Sequence, residues 1–279
     1  MMVAVASGKG GVGKTTVAVN LARTAAMPVQ LLDCDVEEPN AHLFLPGTPA
    51  GEETVYVRVP VVDASRCDGC GECGRFCEYH AIVALGNTPL IFPEMCHGCG
   101  GCARVCPRQA IQETDRRIGI IRKTQAGDIL LVQGCLDVGV AMAPPLIRAV
   151  KARITGDRPV VLDAPPGTAC PVVATLRGAD YAVLVTEPTP FGLHDLTLVM
   201  DTARELGVPF GVVVNRMGIG DDRVQAFCRP RGIPILLELP EDRRIADVCS
   251  TGGLLVEALP EYRERFQSLI IALRLASAH

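Results

Sequence analysis

Gly8-Lys9-Gly10-Gly11-Val12-Gly13-Lys14-Thr15 decides the fold of this 279-residue chain. The stretch fits G-x-x-x-x-G-K-[ST], with an apolar run, Met2 to Ala6, before it and a helical pattern after it. Glycines let the backbone turn tightly enough for several N–H groups to face one anion. A helix starting near Lys14 adds its positive end. The pattern predicts a cradle for a nucleoside triphosphate, with Lys14 neutralising the β and γ phosphates and the Thr15 hydroxyl on a magnesium ion. Only Lys9, Lys14, Lys123 and Lys151 among 27 basic residues are lysines, and two of them share this loop.

Working outward, short apolar runs alternate with helical patterns. Candidate strands are Val3–Ala6, Val29–Leu32, Ile129–Val132, Val160–Leu162, Ala182–Val185, Gly211–Val214 and Ile235–Leu237. Runs of this kind separated by helices predict an α/β domain, doubly wound, whose mostly parallel sheet is covered on both faces.

One segment breaks this pattern. Eight of the thirteen cysteines fall between Cys67 and Cys106, and the sixteen residues from Cys67 match those from Cys96 at nine positions, an offset of 29. Cys67, Cys70, Cys73 and Cys77 follow C-x2-C-x2-C-x3-C, and Cys96, Cys99, Cys102 and Cys106 repeat it, with Pro107 after the last. In that spacing three cysteines bind one 4Fe-4S cube and the fourth crosses to the other. Cluster 1 is then held by Cys67, Cys70, Cys73 and Cys106, and cluster 2 by Cys77, Cys96, Cys99 and Cys102. Zinc tetrathiolates also use C-x2-C pairs, but they separate the pairs by a long spacer. Glu78 stands where the first run lacks the proline, and His80 and His97 are read as groups outside the ligand set. The segment resembles two-cluster ferredoxins. Strands on both sides of it predict an insertion, with residues 60–118 as an α+β ferredoxin-like domain between the two parts of a P-loop domain, 1–59 and 119–279.

Composition narrows the classes. With 48% hydrophobic and 21% charged residues the chain is not a disordered tail protein. A net charge of −4 gives no electrostatic case for nucleic acid or an anionic membrane as main partner. The longest apolar stretches, such as Leu269–Leu273, fall far below the roughly 20 residues of a membrane span. An apolar strand starting at Met2 leaves no room for a charged leader, so the cysteines are read as cytoplasmic thiols, not a disulfide framework.

The loop SGKGGVGKTT, Ser7 to Thr16, resembles the deviant Walker A loop of the MinD and ParA superfamily. The resemblance implies that Gly8, Lys9, Gly10, Gly11, Val12, Gly13, Lys14, Thr15 and Thr16 contact ATP. It also implies that Lys9 crosses a dimer interface to the partner's nucleotide. Leu31 to Asp35 resembles the family's first switch, in which Asp35 positions the attacking water and Asp33 helps hold the magnesium shell. Val160 to Gly167 resembles the Walker B strand and second switch, giving Asp163 a water-mediated magnesium role. Val212 to Arg216 resembles the strand end that reads adenine, with Asn215 as the amide contact and Arg216 beside it. Cys170, seven residues after Asp163, lies where the nitrogenase iron protein of that superfamily places a cluster ligand.

Together these resemblances imply an ATPase that couples hydrolysis to electron transfer, acting as an ATP-dependent homodimer, or a heterodimer with a related ATPase, on a redox partner protein. A positioning switch with a redox-sensing insert and an iron–sulfur cluster carrier are the alternatives. The stripe Phe266, Leu269, Ile270 and Leu273 near the C-terminus predicts a helix docked on the core.

Overall fold

The computed structural model describes residues 1–84, 86 and 88–276. The chain begins with β1 (Met2–Ala6), α1 (Lys14–Thr24), β2 (Val29–Asp33), the long strand β3 (Thr48–Val62) and α2 (Glu72–Phe76). Next come β4 (Ile82–Val83), β5 (Leu90–Ile91), α3 (Gly101–Val105), the long strand β6 (Ile111–Ala126) and β7 (Ile129–Leu136). There follow α4 (Ala143–Lys151), β8 (Val160–Asp163), α5 (Cys170–Leu176), β9 (Tyr181–Thr186), α6 (Pro190–Glu205) and β10 (Phe210–Met217). The chain closes with α7 (Arg223–Cys228), β11 (Ile235–Pro240), α8 (Arg243–Ser250), α9 (Leu255–Ala258) and α10 (Pro260–Ala276).

Nine strands form one sheet in the order β11-β10-β9-β1-β8-β2-β7-β6-β3. Every pairing from β11 through to β7 is parallel. All six residues of β9 and all four of β8 are buried, as expected of strands covered on both faces. All seven candidate strands are present. The strands β3 and β6 were not among them, and both carry charged residues that break a purely apolar run.

The chain divides into two compact units. The larger comprises Met1–Glu52, Ile121–Cys135 and the chain from Ile147 on; the smaller comprises Glu53–Ile120 and Leu136–Leu146. Leu136–Leu146 thus groups with the smaller unit although sequence alone assigned it to the P-loop domain.

In the larger unit, α1 turns Val17, Ala18 and Leu21 into the core, and α10 buries Tyr262, Phe266, Leu269 and Leu273 against the same cluster. Each such large side chain contributes roughly 1.5–3 kcal/mol on burial. The amphipathic C-terminal stripe is therefore docked on the core. Among the described residues no helix is long and apolar enough to cross a membrane. Helix α6 starts sharply because Pro190 occupies its first position and the Thr189 hydroxyl accepts from the Gly192 N–H at 3.0 Å.

The smaller unit has much less apolar core. Beside the cysteines a cluster of Cys73, Ile82 and Ile111 is buried, with Val62, Ile91 and further cysteines packed around it, and Val55, Val57, Val59, Ile118 and Leu146 are buried elsewhere in the unit. The sequence repeat is also a backbone repeat. Gly69 and Gly98, Gly71 and Gly100, and the non-glycine pair His80 (φ 51°) and Gln109 (φ 49°) all adopt positive φ at the 29-residue offset. His80 N–H donates to the Cys77 carbonyl and Gln109 N–H to the Cys106 carbonyl, both at 3.1 Å.

Candidate functional site

Parallel register sets two acidic strand ends side by side. Asp33 of β2 pairs with Asp163 of β8, whose other neighbour is Val5 of β1. The chain leaves β1, rounds the glycine loop and re-enters regular structure at Lys14. This is the carboxyl edge of the sheet, where open α/β folds bind ligands. Gly11 and Gly13 hold φ of 76° and 92°, a region that residues with a Cβ rarely adopt. A Cβ at Gly8 would overlap the Asp195 carbonyl of α6. The Ser7 hydroxyl donates to the Lys9 carbonyl at 2.6 Å and closes the loop on itself.

Lys14 is buried, 7% exposed. Burial lowers its pKa, while the charges of Asp163, Asp35 and Asp33 oppose that fall. Asp163 is fully buried, and burial pushes its carboxyl up to about 7; the nearby Thr15 hydroxyl and Lys14 work against the rise. Yet neither Asp163 oxygen has a hydrogen-bond partner among the described residues, so those neighbours act without a well-aligned bond. An orphaned buried carboxylate beside a lysine and a threonine fits a hydrated divalent cation.

Asp33 serves a different purpose in the loop after β2. Its Oδ1 accepts from the Asp35 N–H at 3.1 Å, and its Oδ2 from the N–H groups of Asn40 and Ala41 at 3.0 Å each. Burial, then Asp163, push its carboxyl up, and the amides oppose them. Of about four acceptor positions on a carboxylate, three are occupied by backbone. Asp35 is half-buried, raised by burial and held down by Lys14.

Lys9 does not face solvent freely. Its Nζ stands 2.9 Å from Oε2 of Glu187, whose Oε1 takes Arg216 Nη1 at 2.8 Å. Glu187 is buried while Lys9 and Arg216 are partly exposed. Arg216 has φ of 56°, the left-handed region where a non-glycine residue is uncommon. Asn215 Nδ2 donates to the Val12 carbonyl at 2.8 Å, and its Oδ1 accepts from the Arg216 N–H. One amide N–H of Asn215 thus braces the loop. The Thr16 carbonyl accepts from Asn20, and its hydroxyl faces Cys249 Sγ at 3.9 Å. Val12 is buried, and Gly10 lies by Pro166. Sequence reading missed Glu187, although an acidic residue closing an apolar strand at the ligand-binding edge is a legible signal.

Within the smaller unit the eight cysteines separate into two cavities. Cys67, Cys70, Cys73 and Cys106 line one, and Cys77, Cys96, Cys99 and Cys102 line the other. All eight are free thiols. Burial raises Cys73 and Cys96 and pushes Cys102 up to about 11. Backbone N–H groups point at sulfur, Ala110 to Cys106 at 3.3 Å and Gly98 to Cys96 at 3.5 Å. Among the described residues no three His, Cys, Asp or Glu side chains converge on a point that a single metal ion would fill. His97 stacks on Tyr79 with ring centroids 3.5 Å apart. Cys170 is exposed at the first residue of α5.

Comparison with known proteins bears on the fold and the family. Two uncharacterized proteins of Methanocaldococcus jannaschii are each 29% identical, covering 97% of this chain and 98% of their own length. An iron-sulfur cluster carrier protein of Pyrococcus horikoshii is 23% identical over 90% of this chain and 77% of its own. The fold is similar to the septum site-determining protein MinD of Pyrococcus horikoshii, solved with Mg-ADP. There the TM-score is 0.59 and the identity 21%, with 96% of this chain and 93% of that one covered. The cell division ATPase MinD of Pyrococcus furiosus gives the same TM-score and identity, over 98% of each chain. The profile of the CobQ/CobB/MinD/ParA nucleotide binding domain matches residues 3–255, and the chain belongs to that family.

Proposed function

We propose that this chain is an iron–sulfur ATPase that couples ATP binding and hydrolysis to electron transfer through two 4Fe-4S clusters. The reading rests above all on the eight cysteines separating into two crossed sets of four, each lining its own cavity. A cube offers a separate iron to each thiolate, so its four sulfurs need not meet at one point. The small apolar cluster beside the cysteines supports the same reading, because a segment with few buried apolar residues and no disulfide gains from another cross-link. We read 60–118 as the ferredoxin-like insert and 1–59 with 119–279 as the ATPase. When bound, the clusters supply reversible one-electron storage.

At the nucleotide the chain's own residues divide the work. Backbone N–H groups of Gly10 to Lys14 cradle phosphate, and Lys14 neutralises the charge that develops on it. Thr15 and Asp163 hold magnesium, the latter through water, and Asp33 fixes the switch loop beside it. Asp35 orients the attacking water. Asn215 and Arg216 flank the base. Lys9 leaves Glu187 to reach the nucleotide of a second copy, so ATP favours a dimer, either of this chain or with a related ATPase. Coupling requires the two arrangements of the switch loops to differ in nucleotide affinity, since equal affinity would shift nothing.

An oxygen-free preparation is expected to carry about 8 iron atoms per chain. Once it is reduced, its reoxidation by an acceptor protein is expected to differ among the nucleotide-free, ADP and ATP states. Identical rates in all three would reject the coupling. Lys14→Ala should abolish ATP turnover with iron content unchanged.

A second reading follows from the relatives named iron-sulfur cluster carrier proteins in two Pyrococcus species, each 23% identical. In that reading iron passes to an apoprotein. Full iron retention through repeated reduction and reoxidation favours electron transfer, and iron appearing in an added apoprotein favours the carrier.

A further inference from the structure

The repeat makes the two cysteine sites near copies in backbone, so the side chains at equivalent positions can be compared directly. Gly71 caps α2 at the first site, and Gly100 caps α3 at the second. A Cβ at Gly71 would lie 3.4 Å from the Ala84 methyl; a Cβ at Gly100 would lie 3.4 Å from Glu113 Oε1. Ala84 and Glu113 are themselves 29 residues apart. The same neighbouring position thus holds a methyl at one site and a carboxylate at the other.

A second equivalent pair differs in the same sense. Pro107 follows Cys106, a ligand of the first site, whereas Glu78 follows Cys77, a ligand of the second. Both Glu78 and Glu113 line the second cavity, and neither has an ion-pair partner among the described residues. Glu113 is half-buried and adds a small part to the rise of the Cys96 thiol, which burial mainly causes, while Glu78 is exposed and more strongly screened.

At the first cavity the charges cancel. Asp68 is paired with Arg108 at 2.8 Å, and both line it. At the equivalent positions of the second site His97 stacks on Tyr79, and no carboxylate–guanidinium pair is formed there. Arg75 borders the second cavity too, but its guanidinium is held by Glu72 at 2.6 Å and by the Cys70 carbonyl at 2.9 Å, on the side of the first.

We infer that Glu113, assisted by Glu78, makes the two cluster sites unequal, so that the second has the lower reduction potential and a single added electron rests at the first. The inference depends on the two-cube reading above. Reduction of a cube from its 2+ to its 1+ core takes one electron from a donor such as dithionite, and breaks no bond. It adds one negative charge, which a fixed carboxylate nearby opposes.

The test is an anaerobic dithionite titration of the iron-loaded full chain, followed by electron paramagnetic resonance, after iron and sulfide have been counted. Wild type is expected to show two one-electron steps. Glu113→Gln should raise the lower midpoint and leave the upper in place, by about 59 mV for a tenfold change in electron partition. Glu78→Gln should shift the same step less. Ala84→Glu, at an exposed position, should lower the upper midpoint and bring the two together. If Glu113→Gln moves the upper step, or neither step while iron stays at about 8 per chain, the assignment is overturned. Wild-type iron well short of that number would instead overturn the two-cube reading, and the electron order with it.

Discussion

Glu187 holds Lys9 within its own chain, Nζ to Oε2 at 2.9 Å, and grips Arg216 with its other oxygen at 2.8 Å. Three groups that the fold draws from the glycine loop, the end of β9 and the end of β10 are thereby tied together. In the proposed dimer Lys9 would have to leave this carboxylate before reaching a second copy's nucleotide. On that proposal the pair would set a threshold for assembly.

Glu187→Gln should lower that threshold. A partly exposed ion pair contributes about 1 kcal/mol, so the ATP concentration at half-assembly is expected to fall roughly fivefold. Light scattering against ATP concentration reads it directly. Lys9→Ala should remove ATP-dependent assembly altogether, and a variant that still dimerises normally would end the cross-subunit role.

Asp163 gives the apo protein a pH signature. Its folded pKa, about 7, lies above the ordinary carboxylate value of 3.8. The folded state therefore binds more protons than the unfolded state between those values, and stability falls as pH rises through that window. The ionised carboxylate costs a few kcal/mol at most once pH exceeds 7. Asp163→Asn should narrow its stability deficit to wild type, or gain an advantage, as pH rises from 5 to 7.5 in magnesium-free thermal melts. A difference independent of pH would show that Asp163 is already ionised in the apo fold.

The crossed ligand sets predict an unusual outcome for single cysteine changes. Cys106→Ser alters the second run of the sequence but should empty the first cavity, and Cys77→Ser should do the converse. Each is expected to leave about 4 of about 8 iron atoms. Combining Cys106→Ser with Cys67→Ser should cost no more iron than either alone, whereas combining it with Cys77→Ser should remove both clusters. Uncrossed sets would lose both clusters in the first combination as well.

Chelation of iron under reducing conditions should act on one unit. With only Cys73, Ile82 and Ile111 buried in the apolar cluster beside the cysteines, the smaller unit is expected to become protease-sensitive within 53–120. The larger unit keeps its own core and should retain nucleotide binding. Cleavage of both units at equal rates would contradict separate cores.

Much of this architecture was legible beforehand because each clue was local. The glycine loop and the seven apolar runs carry their meaning within a few residues. Strands β3 and β6 escaped because their apolar residues alternate with charged ones. Yet Val55, Val57 and Val59, buried between the exposed Tyr56 and Arg58, carry a plain period of two that could have marked β3. The contacts that shape the site were not legible at all. Glu187 on Lys9, Asn215 on Val12, and the Asn40 and Ala41 amides on Asp33 join residues that meet only once the sheet has formed.

His80 and Gln109 share no side-chain chemistry, yet both twist the main chain the same way, φ 51° and 49°. Shape in this lobe is written in the path of the peptide groups, and the substituents hung on it are free to diverge. One repeated backbone thus carries different side chains, and a doubled scaffold of this sort lends itself to engineering two centres of deliberately different character.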